Sequence, residues 1–475
     1  MTGAEFATPV PRGQKPPMHS IARPRGLRHP AALAYMAIAL PIALVLVFAV
    51  PPFQNPDEGN HFARAIQLSH GQLVGRRVAA DSAGGVVDPD AVWLIRLFEP
   101  LRFHPERKLN PLDMAKARTA AWGGVPHYAE FGNSVVNPPV FYAAAVAAIW
   151  AVRAAGGSML DGMYAARLAC ALGSILLAGL AIGLAARARS LVFLVLSLPM
   201  TLTLFAGCTQ DGLLIASVAL CASVFGEARE GEARTGWRML AASVLLGAVG
   251  AARSPYLLLA AVPGLLRAPR WRAAVLVVLP PIAIGVLWLV AGVLPVRNDF
   301  RPAQGVDAAA QLAGVLAHPW HFIRAVGGTI WSDCYAYYLS TVGVFGWLDT
   351  LLPRAYYDAA WVPFAAAAAA ECWGKPREHR TGGRLLLLGV LAATALGLML
   401  AMYLIWTPVG SDRVDGITGR YLIPLLLFVP LLFRRGGLLP TMPGGLRGGA
   451  WVAVCACAAA GWWYVPMTII LRYYD

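Results

Sequence analysis

The stretch "PPFQNPDEGNHFARAIQLSHGQLVG", Pro51–Gly75, follows directly on an apolar run at residues 33–50 that is long enough to cross a bilayer. It places Asp57, Glu58, His61 and Arg64 at the mouth of that span. Charge beside lipid is costly, so such a cluster calls for a physical reason.

The rest of the chain says what kind of span this is. Of 475 residues, 58% are hydrophobic and only 13% charged, and mean hydropathy is +0.59. A water-soluble domain of this size needs far more surface charge. Long segments nearly free of charge recur along the chain, so the fold expected is an all-α polytopic membrane protein without a separate soluble domain. The formal charge of +14 does not point to nucleic acid, because the basic residues sit in short loops between spans, where they orient a membrane protein. The seven cysteines show no metal-ligand spacing and no paired framework. They read as small core residues.

Residues 1–30 carry Arg12, Lys15, Arg23, Arg25 and Arg28 among several prolines. They read as a disordered basic cytoplasmic tail leading into an uncleaved signal-anchor helix. The remaining residues, 31–475, form one transmembrane domain. Beyond the span at 33–50, apolar segments lie at 163–186, 190–207, 211–226, 239–252, 256–266, 273–295, 355–372, 385–406, 421–433 and 449–467. Basic turns separate alternate segments: Arg187/Arg189, Arg229/Arg234/Arg238, Arg267/Arg270/Arg272, Lys375/Arg377/Arg380/Arg384 and Arg434/Arg435/Arg447. All become cytoplasmic if the shorter stretch 138–152, which opens on Pro138-Pro139, is a juxtamembrane helix on the outer side. The expectation is about eleven spans, N-terminus inside and C-terminus outside, with 239–252 and 256–266 too short to cross unaided. The first extracytoplasmic loop, 51–137, has nine acidic and nine basic residues, so its own charge does not place it. A second outer segment spans 296–354, and a third, 407–420, reads "TPVGSDRVDGITGR". Large outer loops and small inner ones suggest chemistry on the outer face of a plasma membrane.

Asp57 or Glu58 could act as general base for an acceptor hydroxyl. Equally, Asp57 could only cap the helix that starts near Glu58 after Pro56. Asp57, Glu58 and His61 could also offer ligands to a divalent metal, though D-E-x-x-H fixes no geometry, and the sequence makes no cofactor certain. Arg167, inside the span 163–186, is either a phosphate clamp or a snorkelling residue paired with Asp161. Arg420, in "GITGRYLIP", carries the same two readings, and Gly416 and Gly419 suggest a backbone that comes close to something. Gln210 and Asp211 mark an outer turn, as cavity residues or as a helix cap. Arg253 interrupts the positive-inside pattern and suits a bound anion. Tyr335, Tyr337 and Tyr338 read as interface-belt residues or sugar-stacking ones. His61, Arg64, Asn137, Gln210, Asp211 and Tyr421 complete the candidate substrate contacts. There is no Gly-rich phosphate loop, no Ser-His-Asp order and no Cys-x-x-Cys. An enzyme acting outside would need a donor carried on lipid.

"PPFQNPDEGNHFARAIQLSHGQL", "NPPVFYAAA", "GWLDTLLP" and "GRYLIPLL" together resemble the bacterial membrane proteins of domain-of-unknown-function family 2142. That family is similar to the GT-C glycosyltransferases, including the protein O-mannosyltransferases. The mannosyltransferases open their first outer loop with an Asp-Glu pair followed by His-Phe. Here Asp57, Glu58, His61 and Phe62 match, with one extra residue before His61. The resemblance implies that Asp57 is the catalytic base, with Glu58 beside it, that Arg167 in "AARLACALGS" binds lipid phosphate, and that Asp211 belongs to the site. It implies a GT-C-like bundle that moves a sugar from a polyprenyl-phosphate donor to a cell-envelope acceptor by a single inverting displacement. Arg420 has no secure counterpart there and rests on its position. A transporter or flippase for a lipid-linked glycan is the main rival, though no internal repeat is visible. A polysaccharide polymerase or ligase would share the donor, and a binding or sensor protein would leave Arg167, Asp211 and Arg420 without a role.

Overall fold

The computed structural model describes residues 26–227, 233–266, 271–372, 381–433 and 444–475. Most of the expected basic tail lies outside these residues, as do Arg229, Arg267, Arg270, Lys375, Arg377, Arg380, Arg434 and Arg435 of the basic turns.

The chain is an all-α polytopic membrane protein with two small antiparallel sheets on its loops. Helix α1 (Pro30–Ala49) starts with Pro30, whose missing N–H costs nothing at a first helical position, and His29 Nδ1 accepts from the Ala31 N–H at 3.1 Å. Helix α2 (Glu58–Ser69) follows eight residues later. The stretch expected at 138–152 forms α3 (Ala143–Ala154), which packs on α2 and on the next helix, and Trp150 donates to the Ser69 carbonyl at 2.9 Å. Helix α4 (Met159–Leu184) opens with a capping box in which Ser158 and Asp161 satisfy each other's backbone N–H.

Helices α5 (Arg189–Leu196) and α6 (Pro199–Ala206) form a pair bent by 58°, the shape of a broken span or of a re-entrant loop. Pro199 causes the bend: it cannot donate, and it holds Leu198 in an extended conformation. Then come α7 (Asp211–Glu227), α8 (Ala233–Ala252), α9 (Trp271–Trp288), α10 (Pro319–Val342), α11 (Arg354–Cys372), α12 (Thr381–Ile405) and α13 (Gly444–Tyr473). Among the described residues, five helical stretches are long and apolar enough to cross a bilayer, and the bent pair makes a sixth if it is one span. The other five expected spans hold shorter or less apolar pieces, among them Ser254–Leu265 and the broken turns of Gly419–Leu432. Helix α7 is nearly all buried, so its length need not match the lipid. The two ends of the described chain lie at opposite ends of the bundle. Gly26 abuts Gly183 at the end of α4, whereas Tyr473 at the end of α13 accepts from the Leu109 N–H of the first loop at 2.8 Å.

The segment 296–354 is not a surface loop throughout. It contains the 24-residue α10, and Gly343 just beyond it packs on Pro199 and Met200 at the break of the bent pair. Arg324 and Asp333 within α10 hid this helix from an apolar-run reading. Strands β1 (Arg76–Arg77), β2 (Ala83–Val87) and β3 (His127–Glu130) pair in the first loop and lie over α2. Strands β4 (Val344–Phe345) and β5 (Thr350–Leu351) make a hairpin out of "GVFGWLDTL". The cysteines are core residues in part: Cys170, Cys208 and Cys221 are buried, but Cys334 is exposed on α10.

Both glycines beside Arg420 are required by contact. Gly416 has φ +80° and lies against the Trp406 ring, and a Cβ on Gly419 would sit 2.1 Å from the Tyr337 carbonyl oxygen. The Gly419 N–H donates to Ser340 Oγ at 2.8 Å. This contact locks the segment leading to Arg420 against α10. Gly419→Ala should therefore destabilise the protein by about 1–3 kcal/mol, read as a lower melting temperature in detergent. An unchanged melting temperature would mean the close approach is dispensable.

Candidate active site

Asp57 and Glu58 point in opposite directions. Arg167 donates Nε–H and an Nη2 hydrogen to the two oxygens of Glu58 at 2.7 and 2.5 Å. Its remaining bonds go to the carbonyls of Val47, Val50 and Pro51 at 2.7–3.0 Å. Glu58 also accepts from Asn55 and from the Cys208 backbone N–H. Neither side chain reaches solvent. A guanidinium has five N–H donors, and Arg167 uses all of them inside the protein. Arg167 is therefore not free to clamp a lipid phosphate, and Glu58 is not free to act as a base or nucleophile. The alternative partner Asp161 is committed to its own helix cap.

Asp57 has φ +62° and begins α2, but its side chain makes no capping hydrogen bond. Its carboxylate is about one-third exposed. One oxygen accepts from Asn133 Nδ2 at 3.1 Å and the other from Arg420 at 3.0 Å. The capping reading therefore fails for the side chain, and the group stays partly exposed beside Arg420.

Arg420, mostly buried, also donates to Tyr421 Oη at 3.1 Å, and its Nε has no partner. A second pair lies beside the first: Arg253 donates to Asp211 at 2.7 Å. The Tyr421 ring joins the two pairs, with Arg253 at 4.5 Å and Arg420 at 5.1 Å from its centroid. Tyr256 hydrogen-bonds the Tyr421 carbonyl and holds that ring in place. Two carboxylates and two guanidinium groups thus form a cluster of zero net charge. Gln210 is buried next to Asp211 with its Oε1 unpartnered.

His61 lies within electrostatic reach of all four charges, and burial holds it below its usual pKa, so it is neutral near pH 7. Its Nδ1 is 2.5 Å from Tyr142 Oη, which also accepts from Asn137 Nδ2 at 3.1 Å. Asn137 thus reaches the site through Tyr142 and His61. Arg64 does not reach it. The Arg64 side chain is buried and ties Gln67, the Leu73 carbonyl and the Asn137 carbonyl together, as a brace for the first loop. Burial pulls its pKa down to about 10. Of the α10 tyrosines, Tyr338 stacks on Trp361 at 4.2 Å, and the Tyr337 carbonyl lies against Gly419. The metal reading of Asp57, Glu58 and His61 does not hold, because Glu58 is turned away to Arg167; among the described residues no three His, Cys, Asp or Glu side chains converge.

Sequence reasoning missed Asn133, Tyr142, Tyr256 and Trp347. Tyr142 and Trp347 stand inside "NPPVFYAAA" and "GWLDTLLP", so the motif resemblance did point to their segments. Backbone strain is a further signal. Of six non-glycine residues with positive φ among the described residues, Phe53, Asp57, Phe103 and Leu348 all lie on segments that meet around Asp57 and Trp347. Such strain clusters at functional sites.

Residues 40–429 match the family described as "Predicted membrane protein (DUF2142)". The chain belongs to the DUF2142 family. Every member of the Asp57–Arg420 and Asp211–Arg253 cluster lies within the DUF2142 region, and α13 lies beyond it. Among solved structures, a similar one is the crystal structure of ArnT from Cupriavidus metallidurans bound to undecaprenyl phosphate; it is 17% identical with a TM-score of 0.34, over 90% of this chain and 77% of that one. No curated protein sequence matches this DUF2142 chain.

Two consequences can be measured. Glu58→Gln, which leaves Arg167 charged and buried, should cost roughly 3–5 kcal/mol. Glu58→Gln combined with Arg167→Met should cost less than the sum of the two single changes. Additive losses would contradict a coupled pair. The unfolded chain protonates His61 near pH 6.5, and the folded chain only at lower pH. The folded state therefore loses stability as pH falls through and below that value. His61→Gln should flatten the decline of melting temperature between about pH 7 and 5; an unchanged slope would mean His61 is not its source.

Proposed function

We propose that this protein is a GT-C-like glycosyltransferase that moves a sugar from a polyprenyl-phosphate donor to a hydroxyl of a cell-envelope glycan, lipid or protein on the extracytoplasmic face of the plasma membrane. The observation that carries this reading is the ion pair of a partly exposed Asp57 with Arg420, beside the Asp211–Arg253 pair. The motif resemblance to the protein O-mannosyltransferases at Asp57, His61 and Asp211 supports it.

In the resting site Arg420 occupies Asp57. A donor phosphate entering between Arg420 and Arg253 competes for those guanidinium groups and releases the Asp57 carboxylate. The acceptor oxygen then attacks the anomeric carbon. Its proton passes to Asp57, the bond from that carbon to the phosphate oxygen breaks, and the electron pair leaves with the phosphate. The arginines stabilise the charge that develops there. One displacement inverts the carbon. Glu58, held by Arg167, does not offer a second carboxylate for a covalent intermediate. Neutral His61 and Tyr142 line the floor of the site and add no charge.

The test is sugar transfer in membranes carrying wild type or Asp57→Asn, with a pool of polyprenyl-phosphate sugars and cell-envelope extract. Loss of a general base should lower the rate by about 10²–10⁴ with little change in melting temperature. Equal rates would remove Asp57 from catalysis and turn attention to Asp211. No transfer by wild type, together with lipid flipping that depends on Asp211 and Arg253, would favour the flippase reading.

A further inference from the structure

The motif "GWLDTLLP" has no part in the chemistry just described, yet its tryptophan hydrogen-bonds the segment that leads to Asp57. Trp347 sits at the tip of the β4–β5 hairpin, and its Nε1–H donates to the Phe53 carbonyl at 3.2 Å. The Arg102 guanidinium lies 3.6 Å from the centroid of the Trp347 ring and 4.8 Å from that of Phe103. The two rings meet at 63° with centroids 5.7 Å apart. Arg102 is thus held in a corner of two aromatic faces, one of them on a backbone with φ +58°. The corner is braced from below. Arg472, 3% exposed at the end of α13, donates to the Leu101 carbonyl at 2.9 Å and reaches Asp349 at 3.4 Å. One buried arginine therefore holds both sides of the clamp.

The contents of the clamp differ from the rest of the site. Arg420 and Arg253 each have a carboxylate partner. The Arg102 side chain, among the described residues, has neither a hydrogen bond nor an ion pair, although Asp57 and Glu99 both lie near enough for their charges to act on it. A stacked guanidinium keeps its edge donors pointing outward, where they suit the oxygens of a phosphate. The proposed reaction creates a need for such a group: a sugar phosphodiester bears one negative charge, and the departing monophosphate carries more. Protonation of Asp57 leaves the cluster around Tyr421 with one positive charge in excess, and Arg102 adds a second cation at its rim for that increase.

We propose that Arg102, clamped by Trp347 and Phe103, is a phosphoryl-binding residue at the rim of the Asp57 site, placed to hold the leaving phosphate. This deepens the transferase reading and rests on it for the identity of the lipid, but binding can be measured without transfer. The full chain in nanodiscs of neutral lipid is titrated with polyprenyl monophosphate and, separately, with inorganic phosphate, with thermophoresis as the readout. Arg102→Gln should weaken binding by about tenfold or more, the worth of one charge-assisted hydrogen bond. Arg102→Lys, which keeps the charge but not the planar fork, should fall between the two, as should Trp347→Leu. Weakening with both probes means the phosphoryl oxygens suffice; weakening with the lipid alone assigns a lipid headgroup. Asp57→Asn should bind at least as tightly as wild type, so lost transfer with intact binding separates the base from this subsite. Affinities for Arg102→Gln and Arg102→Lys within about twofold of wild type, or a wild type that binds neither probe, would overturn the proposal. Melting temperatures taken alongside show that each variant is folded.

Discussion

The site depends on the buried pair of Glu58 and Arg167. Helix α1 ends at Ala49, and the last carbonyls of a helix have no partner within it. Beside lipid there is little water to take them. Arg167, in the third turn of α4, supplies donors to Val47, Val50 and Pro51 and so finishes α1. The charge this brings into the bundle is neutralised by Glu58, whose second function is to accept from Cys208 at the turn into α7. One ion pair therefore joins the end of α1, the start of α2, the body of α4 and the α6–α7 turn. With Glu58 turned inward, the left-handed conformation at Asp57 turns the neighbouring carboxylate the opposite way.

Electrostatic balance follows from the same arrangement. Each carboxylate that faces the site has a guanidinium within hydrogen-bonding distance, and Tyr421 packs both cations against one ring. A neutral cluster is tolerable at the edge of a bilayer, where an unpaired charge is not. It is also responsive: an incoming anion that takes an arginine frees a carboxylate. The separate elements reach one place through close backbone contact, such as Gly419 against α10 and Gly343 against the Pro199 break.

The first loop is organised to serve this corner. Arg64 braces α2 against the segments that carry Leu73 and Asn137, and the Asn137 side chain orients Tyr142 under His61. At the far end, α13 reaches back through Arg472, Lys108 and Leu109 to the same loop. The last helix thus stabilises a region contributed by residues more than three hundred positions earlier.

Much of this protein was legible from residue order. Apolar runs without charge identify a multi-pass membrane protein, because the bilayer imposes length and hydrophobicity on each span whatever its neighbours do. Asp57, His61, Asp211, Arg253, Arg420 and Tyr421 stood out because polar groups at the ends of spans are costly, and they do converge. Helix α10 did not stand out, because Arg324 and Asp333 interrupt its apolar run and the helix is held by packing on α6. Which of two adjacent carboxylates faces substrate, and whether Arg167 clamps a ligand or closes a helix, were undetermined by spacing. Those outcomes belong to the tertiary structure, since they depend on which carbonyls and carboxylates lie within about 3 Å of a donor once the helices are packed.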